Sequence, residues 1–523
     1  MSKILLGILI FTLVFSFSHV NAQHTNILVS SQIINTWDPN EPSIVINPVN
    51  TDQILIGTNM NHYFYSSDGG YSWTNGGVMT SSHGVHGDPC VIADKYGSFY
   101  FFHLSNPPGP AFADRIVCQK LTDLDSLWSD GSYTGLNGKM QDKEWAVADF
   151  RFNNIYVTWT QFDVYGSTDP EHRSNIMFSR SVDNGETWSD AVNINKISGD
   201  CLDDDNTVEG AVPAVGHDGE VYVSWSGPAG LVFDRSFDEG ETWLDNDVFV
   251  SHIPGGWVIN IPGIYRCNGM PVTACDLSDG PYKGTIYINW ADQKKGVNDT
   301  DIWISKSTDN GATWSVRKRV NDDPPGKHQF FTWMTVDKVT GYIYIVFYDR
   351  RNYDDLRTDV YLAVSRDGGE TFSNHRISET PFIPNKKVFL GDYNNISAHN
   401  NVIRPVWIRL DDMELSLWTA IIDPDFLPDK PAGGIPDNFE IIAVYPNPFN
   451  SSTIIKYYLP GSGYVDLKAY NILGKEVDYI LTGNQTEGIN HIEWQPRNIS
   501  SGIYFIRMKF KNNVKIKKTI YLK

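Results

Sequence analysis

Acidic residues recur in this chain at one kind of place, directly before a short apolar run. Glu41 precedes Pro42-Ser43-Ile44-Val45, Asp88 precedes Pro89-Cys90-Val91-Ile92, and Glu144 precedes Trp145-Ala146-Val147-Ala148. Glu209 and Asp392 open two further runs, and Asn268 stands in the same place in another. A second set is basic: Arg266, Arg350, Arg351 and Arg409, the last three at the ends of β-branched and aromatic runs. Carboxyl groups gathered in one place can divide the work of acid and base on a glycosidic bond. Guanidinium forks suit an acidic group on the substrate, and Tyr393 is a further candidate to contact a sugar ring. The candidates are therefore Glu41, Asp88, Glu144, Glu209 and Asp392 for catalysis, with Arg266, Arg350, Arg351, Arg409 and Tyr393 for substrate binding. For any one of these acids the competing role is a hydrogen bond that ties neighbouring structural units together.

Such a set is useful only if the fold brings it together, and the chain carries a repeat that does so. Five stretches read Ser-x-Asp-x-Gly-x-Thr-Trp with small departures: Ser66 to Trp73, Ser181 to Trp188, Ser236 to Trp243, Ser307 to Trp314 and Ser365 to Phe372. This spelling predicts a tight hairpin, its Asp folding back onto the turn's own amides and its Gly supplying positive φ. Between the turns, apolar strands alternate with β-branched and aromatic strands in seven units of roughly 50 to 60 residues, the spacing of four-stranded propeller blades. One unit has a degenerate turn at Asp123-Leu124-Asp125-Ser126-Leu127-Trp128. The seventh unit ends one strand short at Leu415 to Ile422, and Asn26-Ile27-Leu28-Val29-Ser30 is the expected donor that closes the ring. With the first strand of each unit innermost, the unit starts converge on the axis at one face while the Asp turns lie on the other. The expected fold is all-β, a β-propeller of seven blades, with six as the alternative count, followed by a small Ig-like β-sandwich.

The five turns resemble the Asp-box, or bacterial neuraminidase repeat, of sialidase-like β-propellers. That resemblance implies a glycan-acting protein, a glycoside hydrolase of exo-sialidase type if an enzyme. Sialidases have six blades and carry an Arg-Ile-Pro-type motif near the start of the first; the corresponding stretch here, Asp38-Pro39-Asn40-Glu41-Pro42-Ser43-Ile44, has no arginine.

The net charge of −20 disfavours nucleic acid and anionic membranes as partners. Residues 1–22 read as a signal peptide: Lys3, an apolar Ile4 to Phe17, and Val20-Asn21-Ala22 before the cleavage point. No later apolar run is long enough to span a bilayer as a helix. Five cysteines in an exported chain allow up to two disulfides, Cys267 and Cys275 being near enough in sequence to pair. No metal-site spacing is present and no cofactor is called for, although Asp203-Asp204-Asp205 offers either a structural calcium ligand set or a solvated run of charge.

After Asp423 the composition turns rich in Pro and Gly, giving a linker over 424–440 and a second domain over 441–523 behind a propeller over 23–423. In that second domain Tyr445-Pro446-Asn447-Pro448-Phe449, Tyr470-Asn471-Ile472-Leu473-Gly474-Lys475-Glu476-Val477, Ser501-Gly502-Ile503-Tyr504 and the terminal lysines resemble the C-terminal sorting domain of type IX secretion. The resemblance implies passage across the outer membrane, and secretion or surface display. The expected partners are a glycan or polysaccharide and the type IX secretion machinery. Two other classes of function stand beside the enzyme: a non-catalytic glycan- or protein-binding propeller, and an adhesion or structural surface protein.

Overall fold

The computed structural model describes residues 24–31, 38–109, 112–424, 427, 439–486, 488–497, 499–511 and 513–523. The signal-peptide stretch 1–22 lies outside these residues, as does nearly all of the expected linker. Among the described residues every regular element is a β-strand.

Seven sheets of four antiparallel strands follow one another along the chain. Their first strands are Ser43–Ile46, Cys90–Ala93, Met140–Ala148, Glu209–Val215, Val272–Cys275, Gln329–Val336 and Asn395–His399. Each packs against the next, and Ser43–Ile46 packs against Asn395–His399, so the sheets form a closed ring of seven blades with these strands innermost. The last blade takes its outer strand from the start of the chain: Thr25–Ser31 pairs antiparallel with Glu414–Ile421, from Thr25 opposite Ile421 to Ser31 opposite Ser416. Closure this way hides the edge that the seventh sheet would otherwise present. Large rings fill the spaces between blades, among them the fully buried Trp159, Trp225, Trp290 and Trp407.

Each Asp turn is built alike. In the fifth blade the Asp309 carboxylate accepts hydrogen bonds from the Thr313 amide at 2.9 Å and the Thr313 hydroxyl at 2.6 Å, while Ser307 Oγ accepts from the Gly311 amide at 2.8 Å. Asp68, Asp183, Asp238 and Asp367 repeat the carboxylate-to-amide bond at 2.8 to 2.9 Å. Gly311 is required twice over: its φ is 83°, and a Cβ there would come within 2.2 Å of the Phe233 ring of the preceding blade. Trp314 packs edge-on against that same ring with centroids 5.0 Å apart, and Trp243 does the same to Phe178 at 4.9 Å. The turn therefore joins one blade to the previous one.

Register fixes which face is which. In the fifth blade Cys275 pairs with Ile286 and Ile286 with Ser307, so the Asp turn lies at the end where the innermost strand finishes. The starts of the innermost strands lie at the opposite end. This also separates Cys267, before the strand, from Cys275 at its far end. None of the disulfides that the cysteine count allows is formed, and all five cysteines are free and buried.

Beyond the ring, a three-stranded sheet and a four-stranded sheet enclose a separate apolar core that includes Phe449, Ile455, Leu467, Trp494 and Ile506. Its strands Thr453–Leu459, Gly463–Asn471 and Gly502–Phe510 alternate buried and less buried residues, as a sandwich requires.

Candidate functional site

A carboxyl-rich pit occupies the axial face where the innermost strands begin. In five blades the residue two places before the axis-lining stretch has a left-handed backbone: Glu41, Asp88, Lys143, Gly210 and Phe331, with φ between 48° and 72°. Four of these are not glycine, and one is a bulky Phe. In the third, fourth and sixth blades the left-handed residue falls within a bulge, where pairing jumps from Asp142 to Trp145, Glu209 to Val212 and Phe330 to Trp333. A bulge breaks the two-residue alternation and re-aims the side chains beside it. Here it lets Asp142, Lys143 and Glu144 all join one cluster, each under 9 % exposed. Non-glycine residues held in this region cost conformational energy and gather at functional sites.

The floor of the pit is aromatic. Trp145 and Trp333 reach across the axis from the third and sixth blades with ring centroids 4.3 Å apart, and Tyr393 packs edge-on against Trp145 at 4.9 Å. Below this plug the seven innermost strands line a channel of about 230 Å³ whose walls are part apolar and part polar, Lys338 and His399 among them.

Above the plug, seven carboxyl groups (Glu41, Asp88, Asp142, Glu144, Asp203, Glu209 and Asp392) meet two cations, Lys143 and Arg266. Arg266 grips Asp392 with two parallel hydrogen bonds, Nε to Oδ1 at 2.8 Å and Nη2 to Oδ2. Lys143 Nζ stands 3.3 Å from Asp392 and 3.6 Å from Asp142. The Asn268 side chain donates to the Asp392 carbonyl at 2.9 Å, and the Asp392 amide donates to Glu41 at 3.1 Å. Asn59 donates its side-chain amide to Glu41 and accepts from the Asp88 amide.

These partners divide the carboxyls into two kinds. Burial would raise Asp392, yet Lys143 and Arg266 outweigh it and hold the group below the usual carboxylate range. Burial and the neighbouring Glu41 charge push Asp88 up to about 7 against the pull of Lys143. Asp142 is likewise driven up to about 7 by burial, with Lys143 opposing and Asp88 reinforcing. Glu144 is pushed well above its ordinary value by burial and by Asp88 and Asp142. Glu209 is raised chiefly by burial, its carboxyl within hydrogen-bonding reach of that of Asp203. Neither oxygen of Glu144 or Glu209 accepts a hydrogen bond, although the two residues are 1 % and 0 % exposed. A set of adjacent carboxyls held in different protonation states can donate a proton from one and accept it at another.

All five acids named from the sequence meet in this pit, with Arg266 and Tyr393. Arg351 and Arg409 do not join it. Arg351 is bound by Asp349 at 2.7 Å and by Asp322, and Arg409 by Asp411 at 3.0 Å. Arg350 is buried over Phe330, donating to Thr358 and to the Pro262 carbonyl. No four-arginine cluster forms. Tyr393, a candidate to contact a sugar ring, packs instead on Trp145 and Trp333. Asp142 and Lys143 were missed by sequence reading, although three consecutive charges before a buried Trp-Ala-Val run are the signal that marks them. The carboxylates of Asp203, Asp204 and Asp205 have separate partners, accepting respectively from the Tyr165 hydroxyl, the Asn206 amide and the Val258 amide. Among the described residues no group of three or more His, Cys, Asp or Glu is arranged to hold a metal ion.

Residues 443–522 match the secretion system C-terminal sorting domain. The chain is accordingly exported by type IX secretion, to the cell surface or beyond it. No curated protein is significantly similar to it. Among solved structures it is similar to the NanB sialidase of Streptococcus pneumoniae (9 % identity, TM-score 0.43, 71 % of this chain and 83 % of the other). It is also similar to the sialidase of Trypanosoma rangeli (11 %, 0.42, 86 % and 84 %) and to the polysaccharide lyase PL25-Ulvanlyase (12 %, 0.44, 78 % and 97 %). The ring of seven blades rests on the strand order and register given above, independently of these likenesses.

Proposed function

We propose that the protein is an exported glycoside hydrolase whose chemistry takes place in the axial pit. One observation carries this reading: Glu144 is a buried carboxyl with both oxygens unpartnered, pushed well above the usual carboxylate range, beside Asp88, a half-buried carboxyl pushed up to about 7. Glu144 gives its proton to the glycosidic oxygen as the bond from that oxygen to the anomeric carbon breaks. Asp88 takes a proton from the water whose oxygen bonds to the same carbon. Lys143 and Arg266 keep Asp392 ionised, and its negative charge favours the cationic character that develops in the sugar ring. Hydrolysis of a panel of aryl glycosides and polysaccharides by the propeller tests the reading. Glu144→Gln and Asp88→Asn are each expected to lower kcat by at least a hundredfold on whichever substrate is cleaved. Turnover unaffected by both substitutions would reject it. A second reading, capture of a glycan without cleavage, is favoured by the deep burial of most of the carboxyls; it predicts binding to the same panel with no product.

A further inference from the structure

We infer that the sugar taken by the axial pit carries a free amine, and that acidic sugars are refused. This rests on the reading of the pit as the glycan site. The argument begins with an imbalance, seven carboxyls against two cations, and both cations are already committed. Arg266 is bound by Asp392 and stands 3.6 Å from Asp203, while Lys143 is shared between Asp142 and Asp392. Neither is left to receive a carboxylate or sulfate from a substrate.

The acceptors, in contrast, lack donors. Both oxygens of Glu144 are buried without a hydrogen bond, and the polar neighbour within reach of Glu209 is another carboxyl. Both polar atoms of the Asn394 side chain are also buried and unpartnered. A buried polar group that makes no hydrogen bond is costly, and a ligand that supplies the missing partner recovers that cost on binding. An ammonium group brings three donors and one positive charge. Placed beside Asp88 and Glu209, it satisfies several acceptors at once and lets those two carboxyls ionise, while Glu144 keeps the proton that the glycosidic oxygen takes. The ring hydroxyls then serve as further donors, and the mouth lies where Asp88, Asp203 and Arg266 remain partly exposed. An anionic sugar meets the same carboxyls with no free guanidinium to offset their repulsion.

Calorimetric titration of the full chain with glucosamine, N-acetylglucosamine and glucuronic acid, and with short oligomers of each, tests this. The expected result is at least tenfold tighter binding of the free amine than of its acetylated form, with no measurable binding of the uronic acid. Glu209→Gln is expected to weaken the amine at least tenfold, and Asp203→Asn, at the pit mouth, to weaken it by a smaller factor. Both variants are to be checked for an unaltered melting transition or a higher one. Uronic acid bound as tightly as the amine, above all if Arg350→Ala removes that binding, overturns the inference, and so does failure of all three sugars to bind. Amine binding without cleavage of any amino-sugar glycoside would reject hydrolysis and leave the specificity standing. Cleavage of an acidic glycan in the pit would do the reverse.

Discussion

Replacing Glu144 by Gln removes the carboxyl on which the proposed chemistry depends, yet it is expected to make the protein more stable. Glu144 is raised in the folded protein by burial and by neighbouring acids, so the native state holds its proton more tightly than the unfolded chain does. A carboxyl shifted in this direction contributes stability that is complete below its unfolded value of 4.5 and is lost as pH rises toward its folded value. The loss is about 1.4 kcal/mol for each pH unit. For a carboxyl that keeps its proton in the folded state up to pH 7, the loss between pH 5 and pH 7 is about 3 kcal/mol, an upper figure because water and neighbouring groups relax. Gln has no such slope, and its amide can donate to the carboxyls around it. For a propeller of this length the unfolding entropy is on the order of 0.8 kcal/mol per degree, so the gain corresponds to about 3 to 4 °C in Tm. Scanning calorimetry at pH 5 and pH 7 on both proteins measures it. The variant should melt with the wild type at pH 5 and above it at pH 7. An equal difference at both values, or a variant that melts lower at pH 7, would refute the argument that Glu144 is held protonated and unpartnered.

Three further outcomes follow from the architecture. Asp309→Ala should cost about 1 kcal/mol, the pKa displacement being discounted because the carboxylate is open to solvent, while glycan turnover is unchanged. Because hydrogen bonds from Thr313 and Ser307 hold Asp309 down to about 2, this contribution is present above pH 3.8 and is lost as pH falls through 2; acid-melting curves of the two proteins should therefore converge there. Deleting Thr25–Ser31 should lower the melting temperature and produce oligomers visible by size-exclusion chromatography, since the strand Glu414–Ile421 then becomes an open edge. Removing the chain from 424 onward should leave a folded propeller that is retained in the cell, to be followed by fractionation; equal amounts outside would contradict the role given to the sorting domain.

The parts of the fold that depend on local spelling were open to sequence reading. Ser307 to Trp314 encodes its turn completely, because the Asp, the Gly and the hydroxyls contact one another within eight residues. The pairing of Asn26 to Ser30 with the seventh blade was legible for a different reason: a unit one strand short needs a donor, and a lone apolar strand stood at the other end. The pit was legible in part. Strand order alone implies that Glu41, Asp88, Glu144, Glu209 and Asp392 come to one face. Position within the face was not readable, because bulges shift Glu144 and Glu209 out of step with Glu41 and a bulge has no fixed spelling. The arginines were misjudged where a closer partner was available. Arg409 and Asp411 are two residues apart on one extended strand, so their side chains share a side and pair, while Arg351, in the turn that follows Asp349 at the end of its strand, folds back onto that carboxylate.

The closing strand carries a consequence for the order of assembly. Thr25–Ser31 is the first strand of the ring to be synthesised, and its partner Glu414–Ile421 is the last. Ring closure therefore waits for the whole propeller, and blades formed earlier remain an open arc with two unprotected ends. The sorting domain comes after the partner strand in sequence. Any chain long enough to display its export signal is thus also long enough to have closed its ring, and a chain cut short before the seventh blade carries no signal.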